Sequence, residues 1–345
     1  MTTTMTTTTR RRVGAGLLAT ACLLAVGRPA SAAPPDTILN VSYDISRELF
    51  AQINPAFAAA WKAKTGQDIK VDQSHGGSSR QARAVLEGLQ ADVVTFNQVL
   101  DIQVLHDRGK LIPADWQKRL PHDSSPYYSL PAFLVRKGNP KGIKDWGDLT
   151  RDGLQVLFPN PKTSGNARYT YLAAYASALE QNGGDAAKAE ASVAKLLANV
   201  PVFDTGGRGA TTTFVEREIG DVLISFEAEV NAIRREYGAD KFDVVTPPLS
   251  IEADFPVTVV DAVADKRGSR EVATAYLEYL YAPEGQDILA RNFNRVRDPE
   301  VAARHKAQFP DVRLVTVEQA FGGWAQANKV HFAEGGVLDR ALGNR

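Results

Sequence analysis

The sequence predicts an α/β chain folded into two lobes, on three observations. At 345 residues it exceeds the size at which one hydrophobic core stops growing. Short β-branched or aromatic runs alternate with segments of helical period, the arrangement of parallel sheets covered by helices. Two extended runs introduced by proline, "LPAFLVRKG" at 130–138 and "FPVTVVDAV" at 255–263, bracket a middle block. Read as crossings, they place 33–130 and 255–345 in a discontinuous first lobe and 131–254 in a second, with a two-strand hinge that lets the lobes close on a ligand. Two core strands of one large domain fit the same pattern.

The elements follow in order. Ile38-Leu39-Asn40-Val41 predicts a strand. The stripe Ile45, Leu49, Ile53, Phe57 and Trp61 then marks one face of a helix, which Pro55 should kink or split. A strand near Ile69 to Val71, a helix carrying Ala82, Val85, Leu86 and Leu89, and a strand from Asp92 to Phe96 make a βαβ unit. In the middle block Gln155 to Phe158 is a strand, Ala167 to Gln181 a helix stopped by Asn182-Gly183-Gly184, and Ala187 to Leu197 another helix. Pro201 to Phe203 reads as a short strand, "DTGGRGATTTF" leads into a helix, and strands follow at Asp221 to Phe226 and Phe242 to Val245.

The first residues are of a different kind. Arg10-Arg11-Arg12, an apolar run from Val13 to Val26 and Pro29-Ala30-Ser31-Ala32 predict a cleaved secretory signal over 1–32. The run is shorter than the ~20 residues that span a bilayer. Cys22, the sole cysteine, lies inside it, so the mature chain has no thiol; acylation of Cys22 is a weaker alternative, because the apolar run continues past it. Removing Arg10, Arg11, Arg12 and Arg28 from 40 basic against 40 acidic residues leaves a mature charge of about −4, which argues against nucleic acid as a partner.

Four strand-to-helix turns share a composition: "SYDIS" at 42–46, "HGGSS" at 75–79, "TSGNA" at 163–167 and "TGGRGAT" at 205–211. Each joins small residues to a helix start, where backbone N–H groups lack intrahelical acceptors. In open α/β sheets such turns lie at the carboxyl edge, where ligands bind. One alone reads as an N-cap with turn glycines; four of one character, two from each lobe, predict an anion site closed from both sides. Charge-assisted hydrogen bonds at ~1.5–3 kcal/mol each would outweigh helix dipoles at ~0.3–1 kcal/mol each.

Longer stretches carry a resemblance. "KAKTGQDIKVDQS" at 62–74 and "NPKTSGNAR" at 160–168 resemble the two signature stretches of bacterial periplasmic sulfate-binding proteins, the receptors of sulfate/thiosulfate ABC importers. The similarity continues through "SYDISRELF", "QSHGGSSRQA", "FLVRKGNPK", "DTGGRGATTTFVE", "GDVLISFE" and "YAPEGQ". It implies a type II periplasmic binding protein: two lobes, each a mixed, mostly parallel sheet flanked by helices, which capture an anion and deliver it to membrane permease subunits. It further implies a periplasmic monomer with no cofactor, no metal and no catalysis.

In that family backbone N–H groups and a serine hydroxyl hold the anion, and no cationic side chain touches it. Carried over by motif, the donors are the amide of Asp44, the amide and hydroxyl of Ser78, the amides of Gly165 and Asn166, and the amide of Gly207, with Ser164, Arg208 and Gly209 beside them. Asn166 stands where some members have glycine. Phe226 stands where sulfate-specialised members carry a tryptophan whose indole N–H donates to the anion. With "GKLIPADWQ" and "ATTTFVE" this resembles the thiosulfate-binding branch, and the missing donor matches the terminal sulfur of thiosulfate, a weaker acceptor than oxygen. A plain core role fits Phe226 as well.

A site made only of donors disfavours hydrogen phosphate, whose remaining proton needs an acceptor. Asp44 carries the acceptor that would spoil this, so its carboxylate is expected to turn away, toward a nearby arginine. Rival readings are a receptor for molybdate, phosphate or iron, or a secreted hydrolase. Iron would draw on Tyr169, Tyr171 and Tyr175, which share one helix. For a hydrolase the chain has no H-E-x-x-H, and Arg80 occupies the second glycine's place of G-x-S-x-G after Ser78. His75, His106, His122, His305 and His331 are scattered, and Asp221 with Glu227 reads as a solvated strand end.

Overall fold

The computed structural model describes residues 1–8 and 35–343. The predicted signal, Cys22 included, lies outside the described residues apart from 1–8. Strand β1 (Thr37–Tyr43) runs parallel to β2 (Lys70–Gly76) on one side and to β3 (Val93–Thr95) on the other. After β4 (Tyr127–Ser129) the chain passes directly into β5 (Pro131–Arg136). Around β5 assemble β6 (Val156–Leu157), β7 (Val222–Phe226) and β8 (Phe242–Val245), in the order β6-β7-β5-β8.

The return path uses β9 (Leu249–Ile251), β10 (Ala253–Asp254) and β11 (Val257–Val259); β11 pairs antiparallel with β3 and completes the first sheet as β11-β3-β1-β2. Between the two four-stranded sheets, β10 and β12 (Arg295–Val296) flank β4, both antiparallel to it. Strands β4 and β10 pair at Ser129 with Ala253 and at Tyr128 with Asp254. The proline-led runs lie just beyond them, because Pro131 starts a central strand of the second sheet and the 255–263 run ends in a helix, Asp261–Arg267. The first sheet is mostly parallel; in the second, parallel pairing is confined to β6 and β7.

Pro55 does not break its helix, which runs unbroken over Arg47–Thr65. It sits on the exposed face, where the Ala51 carbonyl it leaves unpaired meets water. Leu49, Phe50, Ile53, Phe57 and Trp61 are buried along the other face. Five such side chains at ~1.5–3 kcal/mol each outweigh the ~3 kcal/mol of one proline. The strand expected at Pro201 to Phe203 is absent: Pro201 has no N–H to give a ladder, Pro201 and Val202 face solvent, and Phe203 packs edge-on against Phe158 at 5.6 Å.

The end of the chain was expected with the first lobe, yet residues 313–343 pack on the middle block. Strand β13 (Arg313–Val315) runs parallel to β9. His331 and the Tyr171 hydroxyl share a 3.0 Å hydrogen bond, Arg340 meets Glu190 at 3.1 Å, and Lys162 pairs with Asp339. The Gly165–Gln181 helix is thus covered on several faces, and thirteen of its seventeen residues are buried.

Candidate anion-binding site

The four predicted turns meet at the seam between the two large sheets. Helices begin at Ser78, Gly165 and Gly207, and a short 3-10 turn, Asp44–Ser46, precedes the helix at Arg47. The close approaches are direct. A Cβ on Gly77 would lie 3.3 Å from the Thr163 carbonyl oxygen and 3.7 Å from that of Thr205; one on Gly206 would lie 2.5 Å from Asp44 Oδ2. Thr163 Oγ1 donates to the Thr205 carbonyl at 2.9 Å, tying two of the turns together. Gly206 has an extended φ of −160°, so contact with Asp44, and no left-handed backbone, restricts that position.

The residues before these helices, Gly77, Ser164 and Gly206, give no side-chain cap. Among the described residues no hydrogen bond runs from the amides of Ser78, Gly165, Asn166 or Gly207 to another protein group. Ser78 is 1 % exposed and its Oγ has no partner of ordinary geometry. Asn166 is a helical residue with negative φ, so the position does not require glycine; its Nδ2 donates to Ser225 Oγ at 3.0 Å. Gly209 lies back against Asp204 in its own turn, away from the other three.

Asp44 turns its carboxylate into the opposing turn. Oδ1 accepts from the Ile45 amide at 3.1 Å, and Oδ2 accepts from the Arg208 amide at 3.2 Å. The partner is an arginine as expected, but its backbone; the Arg208 guanidinium instead places one nitrogen 2.8 Å from both carboxylate oxygens of Glu48. Nearby, burial pushes the Glu229 carboxyl up to about 7 against the pull of Arg208, and Thr211 Oγ1 donates to it at 3.1 Å.

Phe226 ends β7, one residue after the Ser225 that Asn166 holds. Its ring stands edge-on to Phe255 at 5.0 Å and to Tyr169 at 6.1 Å. Phe226 also lines a cavity of about 330 Å³ with Tyr43, Arg208 and Glu229. The next residue departs from expectation. Glu227 is fully buried and forms a two-point ion pair with Arg295, at 2.7 and 3.0 Å, where a solvated strand end was expected. The tyrosines considered for iron are buried on core faces, Tyr171 spending its hydroxyl on His331.

A fifth turn was missed. Asn97 and Gln98, after β3, are buried against Gly165, where a Cβ would lie 2.4 Å from Asn97 Oδ1 and 2.8 Å from Gln98 Cβ. Asp101, three residues on, accepts the Ser79 hydroxyl at 2.8 Å; burial raises its pKa while Arg168 and the adjacent serines oppose the rise. The signal was present: "TFNQV" is a polar pair at the carboxyl end of a strand, the position the other four turns occupy.

Comparison with known proteins shows the family. Residues 45–294 match the family model described as bacterial extracellular solute-binding protein. The thiosulfate-binding protein of Escherichia coli K12 is 56% identical over 306 residues, covering 88% of this chain and 90% of that one. The sulfate-binding protein of the same organism is 53% identical over 303 residues, 88% and 92% of the two chains. Among solved structures, the sulfate-binding protein SubI from Mycobacterium tuberculosis H37Rv superposes with a TM-score of 0.77 at 33% identity, over 86% of this chain and 99% of that one. With a two-lobe α/β scaffold whose helix starts converge on one seam, the chain belongs to the bacterial extracellular solute-binding proteins, alongside the thiosulfate- and sulfate-binding members.

Proposed function

We propose that this chain is a periplasmic receptor that captures thiosulfate or sulfate between its lobes and presents it, as a monomer, to the permease of an ABC importer. The observation that carries the reading is the seam itself: three helix starts face one another across it with the amides of Ser78, Gly165, Asn166 and Gly207 unpaired among the described residues, and the buried Ser78 hydroxyl makes no hydrogen bond of ordinary geometry. The amides of Asp44, Ser78, Gly165, Asn166 and Gly207, with Ser78 Oγ, replace the water of a doubly charged oxyanion; Ser164 and Arg208 hold the turns in place. The first lobe comprises the strands up to β4 and those from β11 to β12. The second comprises 131–254 with 313–343 laid over it, and β4 and β10 form the hinge. The names of the relatives support sulfur oxyanions over molybdate, iron or a hydrolytic role.

Native mass spectrometry of gently purified protein should carry the mass of thiosulfate or sulfate, and calorimetry on dialysed protein should show binding of at least one; no heat and no thermal shift with either salt overturns the reading. Thiosulfate is the favoured cargo, because Phe226 offers a ring face where an oxygen would need a donor. Phe226→Trp should lower the thiosulfate-to-sulfate affinity ratio by about 10-fold, the worth of one hydrogen bond to a charged group. An unchanged ratio removes Phe226 from the selectivity mechanism.

A further inference from the structure

The turn after β3 holds a donor that the motifs do not account for. Gln98 is 0 % exposed and caps the Val99–Asp107 helix, its Oε1 accepting the Asp101 amide at 2.9 Å. That bond uses the oxygen of the side-chain amide and leaves Nε2, which carries two hydrogens, buried without an acceptor. Its neighbours on both sides belong to the seam. Gln98 Cβ lies 2.8 Å from where a Cβ on Gly165 would stand, and Asp101, which the side chain caps, accepts the Ser79 hydroxyl at the start of the Ser78 helix. Asn97 Oδ1 and Asn166 Oδ1 are buried and partnerless in the same turns, and Ser78 Oγ makes no hydrogen bond of ordinary geometry. Burying a donor with nothing to receive its hydrogen is costly unless an acceptor arrives with a ligand.

Resting on the oxyanion reading above, we propose that Gln98 Nε2 donates a hydrogen bond to the bound anion, adding a side-chain donor to the main-chain set and setting which sulfur oxyanion is preferred. Its cap fixes the amide plane, so the N–H addresses one atom of the ligand. Asn97 packs on the Gly165 backbone and holds that helix start against the donor.

The test separates donor from cap. Gln98→Glu keeps the capping oxygen and replaces only the NH2, with a carboxylate oxygen facing a dianion; Gln98→Leu removes both. Calorimetry with sodium thiosulfate and sodium sulfate at pH 8 should show at least about 100-fold weaker binding for Gln98→Glu and about 10- to 100-fold for Gln98→Leu, with both variants folded by circular dichroism. In the ¹⁵N-labelled wild-type protein the Gln98 side-chain NH2 signal, assigned by its loss in Gln98→Leu, should move on adding thiosulfate. If Gln98→Glu binds within about twofold of wild type, or the NH2 signal stays still while thiosulfate binds, Gln98 is a cap only and the proposal is overturned while the receptor reading stands. If the wild-type protein binds neither anion, both fall together.

Discussion

At the rim of the molecule Asp185 accepts the Lys188 amide at 3.1 Å, Asp298 accepts the amides of Glu300 and Val301 at 2.9 Å, and Thr316 and Gln319 satisfy each other in a capping box. In the cleft, Gly77, Ser164 and Gly206 give their helices no side-chain cap, and of the first amides only that of Arg208 finds a side-chain acceptor among the described residues, the Asp44 carboxylate of the opposing turn. The same orphan N–H groups exist at every helix start. Where they are satisfied from within the chain they add to stability, and where they are withheld they form the proposed binding surface. Position in the fold, more than residue preference, decides between the two, since Ser164 is of a type that caps well and does not cap here.

The widest break in this comparison should come from Gly165→Val. Its Cβ would lie 2.4 Å from Asn97 Oδ1, so the helix start must move away from the opposing turn, and thiosulfate affinity should fall at least about 100-fold by calorimetry. Ser78→Ala removes one charge-assisted donor and should cost about 10- to 100-fold in affinity. Because the hydroxyl makes no hydrogen bond of ordinary geometry, only a loose contact with the Asp101 carboxylate, the anion-free protein should melt close to the wild-type temperature.

A rim-side group gives the contrasting pH signature. Burial among aromatic rings lowers the His331 pKa to about 4, so the unfolded chain takes up its proton first, near pH 6.5. The stability it contributes is complete above pH 6.5 and declines from there toward pH 4, by about 2 kcal/mol at pH 5. Chemical denaturation of His331→Gln should show a flatter profile over that window. The smallest effect should belong to Asp185→Ala, about 1 kcal/mol of stability by urea titration with anion affinity untouched.

The strands of the two four-stranded sheets and four of the five turns were legible because each is local: an apolar run, small residues, then a helical stripe. Gln98 was not, because a polar residue after a strand has the same appearance whether both ends of its amide are used or only one. Pro55 misled for a related reason. The residue forbids an internal hydrogen bond, but only the fold shows that the freed carbonyl faces water. The placement of the last thirty residues rests on contacts such as Tyr171 with His331, 160 positions apart, which no periodicity encodes. Asp44 pointed to an arginine, but a backbone amide leaves no mark in the sequence.

On the proposed division the polypeptide joins the two halves three times: at β4 to β5, at β9 through β11, and again between β12 and β13, where the terminal segment returns to lie beside β9. Two strands alone would leave one half free to swivel about them. On that division a third tether would restrain the swivel and favour a bend about a single axis, which would return the facing turns to the same register.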